Sequence, residues 1–272
     1  MQASSKKNPE KAHQKSIMKQ FLETAIEAAT AASIPILEYF HSSFEVETKP
    51  DQTPVTIADR EAEQVIRSVI RKAFPGHGIY GEEYGHSDHD SEYLWLIDPI
   101  DGTKSFVRGY GMFSTQVALM HRDEIVVGVS NAPVMDEMAW ATRDGGAFLN
   151  GDPIKVSVIQ VLSDASISTG NLGTLARSDR WQALGDVISQ ANRARGYGEY
   201  FHYHRLASGQ LDAVIESDVN ILDIAALSLI VQEAGGVFTD LSGNPVGLET
   251  SSALAGTPGL HAQLLASIDW AD

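Results

Sequence analysis

The fold is decided by nine residues near the middle of the first half of the chain, which read Trp95-Leu96-Ile97-Asp98-Pro99-Ile100-Asp101-Gly102-Thr103. Residues 93–97 are apolar and predict a buried strand, which we expect to end at the Asp-Pro pair because proline removes a donor from the ladder. Asp98 and Asp101 follow, three residues apart. Gly102 permits a close approach of the backbone to a ligand, and Thr103 is predicted to start a short helix over residues 104–108.

This segment combines two kinds of binding group. The carboxylates suit hard cations, and Mg²⁺ prefers oxygen ligands and usually shares them with a substrate phosphate. The N-terminus of a helix offers free N–H groups and the positive end of a dipole, which suit a phosphate. We therefore interpret the segment as a metal–phosphate cradle. An isolated Asp-Pro or Asp-Gly pair would equally suit a plain Asx turn.

Charge and composition restrict the class of protein. The chain has 272 residues, with 36 Asp and Glu against 20 Lys and Arg, so its formal net charge is -16. Binding of nucleic acid or of an anionic membrane surface is not expected, because both need a basic footprint. An acidic protein still binds a phosphate ester if metal cations lie between the two. The absence of cysteine excludes disulfides, thiolate metal sites and cysteine nucleophiles.

The N-terminal region carries no sign of export. Residues 1–19 are rich in Lys, Ser and Gln and lack the apolar core of a signal peptide. No 18 apolar residues run together, so no transmembrane helix is expected and the cytoplasm is the expected location. We predict a disordered tail over residues 1–14 and a single domain over residues 15–272, with lobes of approximately 15–155 and 156–272.

Helical and strand patterns alternate along the chain, which predicts a mixed α/β fold. Helices are predicted over residues 16–40, 57–74, 179–191, 201–208 and 224–234. Strands are predicted over residues 114–121, 125–130, 137–142, 165–169, 211–215 and 237–239. A short extended segment entering a loop is expected over residues 45–51, and turns over 144–146 and 150–152.

Three further segments carry carboxylates. They are Gly81-Glu82-Glu83, Thr53-Pro54-Val55-Thr56-Ile57-Ala58-Asp59, and Leu222-Asp223-Ile224-Ala225-Ala226, which opens an apolar helix ending in Glu233-Ala234-Gly235-Gly236. Each has a simpler explanation when taken alone. Glu82 suits a solvated loop, Asp59 suits the first turn of a helix capped by Thr56, and Asp223 suits an N-cap.

Taken in chain order, the four motifs that begin at Thr53, Gly81, Asp98 and Leu222 resemble those of the inositol monophosphatase superfamily of metal-dependent, lithium-sensitive phosphatases. The match runs from about Lys49 to Gly236, which is most of the chain. The resemblance implies a layered α/β/α/β/α sandwich, commonly a homodimer, that hydrolyses a small phosphate ester. It also implies two or three Mg²⁺ ions per active site.

The resemblance implies a role for each motif residue. Ligands of a first Mg²⁺ correspond to Glu82, Asp98 and the carbonyl of Ile100, and ligands of a second correspond to Asp98, Asp101 and Asp223. Asp59 corresponds to a residue that helps to hold a further metal or its water, and Thr103 to the hydroxyl beside the attacking water. Catalysis is thus assigned to Glu82, Thr103 and Asp59, and contact with the substrate to Gly102, Thr103 and Lys104.

The choice of ester is expected to depend on the second half of the chain. The run Arg195-Gly196-Tyr197-Gly198-Glu199 resembles Arg-x-Tyr-Gly-Asp of the histidinol-phosphatase branch. A carboxylate at Glu199, backed by Glu216, suits the ammonium and imidazole of histidinol phosphate, which would place the enzyme in histidine biosynthesis. We predict that Arg195 holds the phosphate or orders Glu199, whereas a surface ion pair of the two is the alternative.

Sequence alone leaves other functions open. Lys104 also resembles the 3′(2′),5′-bisphosphate nucleotidase branch, and an inositol monophosphatase is a further alternative. A catalytically silent regulatory homologue is the non-enzyme alternative, against which the complete set of ligand-type residues argues. Leu222 departs from the aromatic residue of most relatives.

The histidines are expected to be outside the chemistry. Residues 85–91 are predicted to form a solvated lid loop in preference to a transition-metal site of His86 and His89. His202 and His204 are expected to serve packing in preference to lining the pocket.

Overall fold

The computed structural model describes residues 9–41, 46–48, 54–87, 91–268 and 270, with side chains described over 14–41, 57–87, 91–268 and 270. The α-helices are α1 (Pro9–Phe40), α2 (Ile57–Ala73), α3 (Thr103–Val107), α4 (Leu172–Leu175), α5 (Trp181–Gln190), α6 (Glu199–Ala207), α7 (Ile221–Glu233) and α8 (Pro258–Ser267). The strands of the first half are β1 (Val46–Thr48), β2 (Pro54–Thr56), β3 (Gly78–Gly81), β4 (Gly85–Ser87), β5 (Tyr93–Asp101), β6 (Ser114–His121), β7 (Glu124–Ala132), β8 (Glu137–Thr142), β9 (Gly146–Leu149) and β10 (Asp152–Ile154). Those of the second half are β11 (Ser166–Gly170), β12 (Arg193–Arg195), β13 (Ala213–Ser217), β14 (Val237–Thr239) and β15 (Ser252–Gly256).

An eight-stranded sheet has the order β10-β9-β8-β7-β6-β5-β3-β4. Neighbouring strands are antiparallel except β3 and β5, which run parallel with Gly81 opposite Ile97. Glu82 follows Gly81 and Asp98 follows Ile97, so the two carboxylates lie side by side at the same end of these two strands.

A five-stranded sheet has the order β12-β11-β13-β15-β14. Its strands β11 and β13 are parallel, with Gly170 opposite Glu216. This sheet thus also presents the carboxyl ends of two parallel strands, which carry Asn171 and Glu216.

The two sheets alternate with helices. Helices α1 and α2 cover one face of the large sheet around Ile66, Trp95 and Val117, all fully buried. Helices α6 and α7 lie between the sheets, and α5 and α8 pack on the outer face of the small sheet against Ile215. The predicted layered α/β/α/β/α sandwich is confirmed.

The strand containing the central motif is longer than predicted. Instead of ending at Asp98, β5 continues to Asp101, and its pairing with β6 shifts between Asp98, opposite Gln116, and Asp101, opposite Ser114. Two residues on β5 thus span the place of one on β6, which is a bulge. Pro99 falls inside this bulge, where its missing N–H costs no ladder hydrogen bond, and the bulge turns both carboxylates towards the same edge.

Several predicted boundaries differ in detail. Helix α6 begins at Glu199 and α7 at Ile221, two and three residues earlier than predicted. The N-cap of α7 is Asn220, so Ile221, Leu222 and Asp223 belong to its first turn. The predicted turns at 144–146 and 150–152 flank the short strands β9 and β10, which the apolar pattern did not predict. The predicted lid loop over residues 85–91 begins with strand β4, paired with β3.

Some predictions fall wholly or partly outside the described residues. These include Lys49, residues 51–53, His89 and the first eight residues. Helix α1 begins at Pro9, inside the predicted tail of residues 1–14. The predicted division between lobes lies in the segment between β10 and β11. Both the tail and the two-lobe division stay predictions. Within the described ranges, no helix is both long and apolar enough to cross a membrane.

Candidate active site

A cleft of about 180 Å³ opens where the carboxyl ends of β3, β5, β11 and β13 face the N-termini of α3, α6 and α7. Ten of the twelve predicted site residues line it, namely Glu82, Asp98, Ile100, Asp101, Gly102, Thr103, Lys104, Glu199, Glu216 and Asp223. Residues far apart in sequence thus meet because the strand ends of both sheets point into the same gap.

Three carboxylates at the bottom of the cleft form a cluster suited to a metal. Oxygens of Asp98, Asp101 and Asp223 lie within 4.8 Å of one another. Burial raises the pKa of Asp98 well above its usual value, and the charges of Glu82, Asp223, Asp101 and Asp59 raise it further. Burial also raises the pKa of Asp223 to about 7. An all-oxygen donor set that repels itself in this way fits a hard divalent cation, which would remove the repulsion.

The bulge in β5 orients the first two carboxylates. The N–H of Ile100 donates to Asp98 Oδ1 at 3.0 Å, and Thr115 Oγ1 donates to the Pro99 carbonyl at 2.8 Å. On the neighbouring strand, Ser114 Oγ donates to Asp101 Oδ2 at 3.3 Å. Both aspartates are at least nine-tenths buried, so these contacts determine where their remaining lone pairs point.

Asp223 is positioned by the start of α7 and is not itself the N-cap, which was the simpler explanation of its place in the sequence. Asn220 is the N-cap residue, and its Oδ1 accepts from the N–H of Leu222 at 2.8 Å. Asp223 accepts from both the backbone N–H and the Nδ2 of Asn220, each at 2.8 Å. This capping box holds the Asp223 carboxylate at the cleft. Leu222 is buried in the core between the sheets and does not line the cleft.

Thr103 lies between a carbonyl and a carboxylate. Its Oγ1 is 3.0 Å from the Ile100 carbonyl oxygen and 3.5 Å from Asp59 Oδ2. A hydroxyl carries one proton, so it donates to one of these acceptors at a time. Asp59, only 1% exposed on α2, does not line the cleft itself but contacts it through Thr103.

Gly102 is required by the backbone at this point. Its φ is 91°, and a Cβ there would lie 2.8 Å from the Met112 carbonyl oxygen. The predicted short helix begins at Thr103, directly after it, and has five residues. Because so short a helix has a small dipole, the pull on an anion comes mainly from local N–H groups and Lys104.

A second pair of carboxylates, Glu199 and Glu216, occupies the other side of the cleft. Burial and the charge of Glu216 raise the pKa of Glu199, while the charges of His202 and Lys104 act in the opposite direction. Glu199 has a φ of 51°, a left-handed conformation that is uncommon for non-glycine residues.

Glu216 is held by a chain of buried hydrogen bonds. Tyr203 Oη donates to Glu216 Oε2 at 2.7 Å, and His202 Nε2 lies 3.0 Å from the same oxygen. The other ring nitrogen of His202 is 3.2 Å from Ser168 Oγ, which itself accepts from the N–H of Tyr197. Because the Glu216 carboxylate only accepts, the His202 ring donates to it through Nε2–H. The expected packing role of His202 thus includes orienting a cleft residue.

Arg195 is not brought to the cleft. It is exposed on the edge strand β12, donates to the Ala194 carbonyl at 2.7 Å, and lines a separate small cavity. The edge strand carries it along the outer side of the small sheet, while the chain turns inward at Gly198. Arg195 does not line the cleft that contains Glu199, and its contact with a phosphate stays a prediction. His86 stacks on Tyr80, with ring centroids 3.7 Å apart.

Helix α6, which carries Glu199, is tied to the large sheet by a buried polar cluster. Glu137 on β8 accepts from Arg205 and from His204 Nδ1, the latter at 3.3 Å, and His204 Nε2 accepts from Ser130 Oγ at 2.9 Å. These hydrogen bonds lower the pKa of Glu137 from its usual 4.5 to about 2, the bond from His204 being the largest cause. Burial lowers the pKa of His204, whereas the hydrogen bond to Glu137 and its charge act in the opposite direction.

We expect Glu137→Gln to lower the free energy of unfolding by about 2 kcal/mol at pH 7. Because the folded-state pKa of Glu137 is depressed, its contribution is complete above pH 4.5 and is lost as the pH falls towards 2. Urea unfolding at pH 7 and at pH 3.5 measures the difference, which should shrink at the lower pH. Glu124→Gln, which removes an exposed pair with Arg143, is the control with an expected change under ~0.5 kcal/mol. A Glu137→Gln deficit that does not vary with pH would contradict the assignment.

The model of the family described as "Inositol monophosphatase family" matches residues 17–271 of the chain. The chain belongs to the inositol monophosphatase family. Members of this family are metal-dependent phosphatases, and this chain, which carries an acidic cluster in its cleft, is a phosphoric monoester hydrolase.

Individual members of the inositol monophosphatase family agree over nearly the whole length. A protein of Streptomyces coelicolor named histidinol-phosphatase is 38% identical over 247 residues, covering 87% of this chain and 92% of its own length. An inositol monophosphatase of Dictyostelium discoideum is 36% identical, covering 90% and 93%. The crystal structure of the extragenic suppressor protein suhB of Bartonella henselae superimposes with a TM-score of 0.84 at 29% identity, covering 92% and 98%.

Sequence reasoning missed the residues that orient the carboxylates. These are Glu63, Arg67, Ser114, Gln116, Ser168, His202, Tyr203 and Asn220 as a group. A partial signal existed for two of them, since Ser114 and Gln116 are polar residues on one face of an otherwise apolar strand. The others are separated in sequence from the groups that they hold.

Proposed function

We propose that this protein is a Mg²⁺-dependent phosphatase acting on histidinol phosphate. The observation that carries the proposal is the pair Glu199 and Glu216, which lines the cleft opposite the metal-binding carboxylates. Partial burial, together with the charge of the buried Glu216, raises the pKa of Glu199, which shows that the two negative charges are costly to hold together. A cationic group of the substrate would relieve that cost.

Two or three Mg²⁺ ions are proposed to be held by Glu82, Asp98, Asp101, Asp223 and the carbonyl of Ile100. When bound, they supply charge neutralisation for the phosphate and a lowered pKa for water. Ile100 lines the cleft, and its carbonyl oxygen accepts from Thr103. All of these groups are oxygen donors, as Mg²⁺ requires.

Thr103 and Asp59 are proposed to receive the proton of the attacking water. Water would donate to Thr103 Oγ1, whose own proton passes to Asp59 Oδ2, 3.5 Å away. The oxygen of the water then forms the new bond to phosphorus in line with the ester bond that breaks. The leaving alkoxide takes up a proton from solvent water, and the proton received by Asp59 is released to solvent. No side chain becomes covalently attached, which agrees with the absence of cysteine and with a carboxylate-lined cleft.

Glu199 is the residue that favours a cationic substrate over inositol phosphate. Glu216 alone would suit a polyol as well as an ammonium group. Its Oε2 already has two donors, and its other oxygen stays available to accept from either a hydroxyl or an ammonium N–H. A second, partly buried carboxylate beside it adds charge that a neutral polyol does not compensate. The names of the relatives do not decide between the two substrates, since identities of 38% and 36% are close.

Lys104, exposed at the mouth of the cleft, is proposed to meet the substrate phosphate together with the N–H groups around Gly102. Arg195 has no part in the proposal for a single chain.

A homodimer and a cytoplasmic location belong to the same proposal, and light scattering of the purified protein tests the first of these.

Steady-state rates on a panel of esters test the substrate. We expect kcat/KM for histidinol phosphate to exceed that for inositol 1-phosphate and for adenosine 3′,5′-bisphosphate by about 10-fold or more with Mg²⁺, and the activity to fall on addition of Li⁺. A preference of similar size for inositol 1-phosphate would contradict the proposal in favour of an inositol monophosphatase. Release of no phosphate from any ester would support a catalytically silent homologue.

A further inference from the structure

The turn between β3 and β4 carries Glu82, and it is held from beneath by helix α2. Glu82 occupies the first position of the turn and lines the cleft, where its charge raises the pKa of Asp98 and of Asp223. Glu83 points elsewhere, because its carboxylate lies 3.7 Å from Arg60. The role of helix α2 at this site rests on the proposed function, in which Glu82 is a metal ligand.

Glu63 on α2 is fully buried and binds the backbone of this turn. Its Oε2 accepts from the N–H of Glu83 at 2.7 Å, and its Oε1 accepts from the N–H of Tyr84 at 3.2 Å. Two successive N–H groups directly after Glu82 are therefore anchored to one carboxylate. This anchorage fixes the backbone from which the exposed Glu82 side chain extends.

Arg67, one turn further along α2, completes the support. Its Nε donates to Glu63 Oε1 at 2.7 Å, and its Nη2 donates to the Gly85 carbonyl at 2.6 Å, on the far side of the turn. The guanidinium is 6% exposed and lies 5.9 Å from the centre of the Tyr84 ring. The pair Glu63–Arg67 thus binds the turn at both ends, through donors on one side and a carbonyl on the other.

The sequence around the turn is adapted to this support. A Cβ at Gly81 would lie 2.2 Å from Glu63 Oε1, so glycine is the residue that lets the carboxylate reach the turn. A buried ion pair gains little net stability, because the cost of desolvating two charges offsets their attraction. Its value here is positional, since the contacts it makes are to the segment that carries Glu82.

We propose that Glu63 and Arg67 are positioning residues that hold the Glu82 carboxylate against Asp98 for binding a divalent cation. Neither reaches the cleft itself. Glu63→Gln would turn an amide N–H₂ towards N–H donors of the turn or of Arg67 and so release one of them. Arg67→Lys keeps the charge but not the fork that bridges Glu63 and Gly85.

Binding of Mn²⁺ alone, measured by electron paramagnetic resonance of the free ion, tests the proposal without any substrate. We expect Glu63→Gln to weaken Mn²⁺ binding about 10-fold, as loss of a group that orients a metal ligand does, and Arg67→Lys to weaken it in the same direction. In a Glu82→Gln background, Glu63→Gln should have no further effect, because it acts through Glu82. If Glu63→Gln fails to fold, Arg67→Lys in the two backgrounds gives the same comparison.

Asp212→Asn is the matched control for general destabilisation. Asp212 is a buried carboxylate that accepts from Ser157 and from the N–H of Ser166 at 2.7 Å, away from the cleft. It should lower the melting temperature while leaving Mn²⁺ affinity unchanged. Equal losses of affinity in Asp212→Asn and Glu63→Gln, or an undiminished effect of Glu63→Gln in the Glu82→Gln background, would overturn the proposal. Wild-type protein that binds no Mn²⁺ would instead overturn the proposed function.

Discussion

Replacing Asp101 with asparagine is expected to reduce kcat/KM by about 10³-fold with Mg²⁺, the size of effect seen when one preorganised charge-stabilising group is removed. Asp101 is 8% exposed and belongs to the cluster of three carboxylates. Burial and the charges of Glu199, Asp223 and Glu216 raise its pKa well above the usual range. The substitution removes a ligand but also removes repulsion, so it should not weaken the fold.

Thermal unfolding separates these two effects of Asp101→Asn. In the presence of a chelator, the melting temperature should stay within about 2 °C of wild type or rise, since a repelling charge has gone. The increase in melting temperature on adding Mg²⁺ should be much smaller than in wild type. Asp123→Asn, in the exposed hairpin between β6 and β7, is the control and should change neither quantity. An Asp101→Asn protein that keeps more than about one tenth of wild-type kcat/KM would refute the metal-ligand role.

Replacing Glu199 with glutamine is expected to change substrate preference more than it changes turnover in general. For histidinol phosphate, kcat/KM should fall about 10- to 100-fold, since a partner of the substrate ammonium in the cleft loses its charge. For a neutral ester such as glycerol 2-phosphate, the change should be under about 3-fold. Glutamine keeps the length of the side chain, whereas a β-branched residue at the φ of 51° would add backbone strain.

A nearby carboxylate provides the matched control for Glu199→Gln. Asp218 also lines the cleft and also has a positive φ, of 59°, which asparagine tolerates well. Asp218→Asn should leave the ratio of the two kcat/KM values within about 3-fold of wild type. Equal losses on both substrates in Glu199→Gln would mean that this carboxylate serves the reaction or the fold and does not select a cation.

The acidic side of the cleft could be predicted from the sequence because its residues lie near the ends of apolar strands. Asp98 and Glu82 follow two apolar strands, and the parallel pairing of those strands brings the two residues together. Even here the strand boundary was wrong, since Pro99 was expected to end the strand. The bulge between Asp98 and Asp101 accommodates it, and a bulge depends on the partner strand, which the local sequence does not reveal.

The positions of the residues assigned to the substrate were harder to predict from the sequence. Arg195 and Glu199 are four residues apart, yet the chain turns at Gly198 so that one lies on an outer edge strand and the other in the cleft. Their separation depends on the φ values of 77° and 51° at Gly198 and Glu199. The Gly-Glu pair signals a turn but not its direction.

The sequence by itself determined the layered α/β class, the carboxylates of the cluster and the chemistry of hard cations with a phosphate. Those properties follow from local patterns, since apolar periodicity defines strands and helices and residue type defines ligand chemistry. Only the tertiary structure decided which side chains orient the site: Glu63 under the Glu82 turn, Ser114 beside Asp101, and His202 behind Glu216. Each of these contacts joins separate elements of the fold, and its existence depends on the register and packing of those elements and not on the residues near it in the chain.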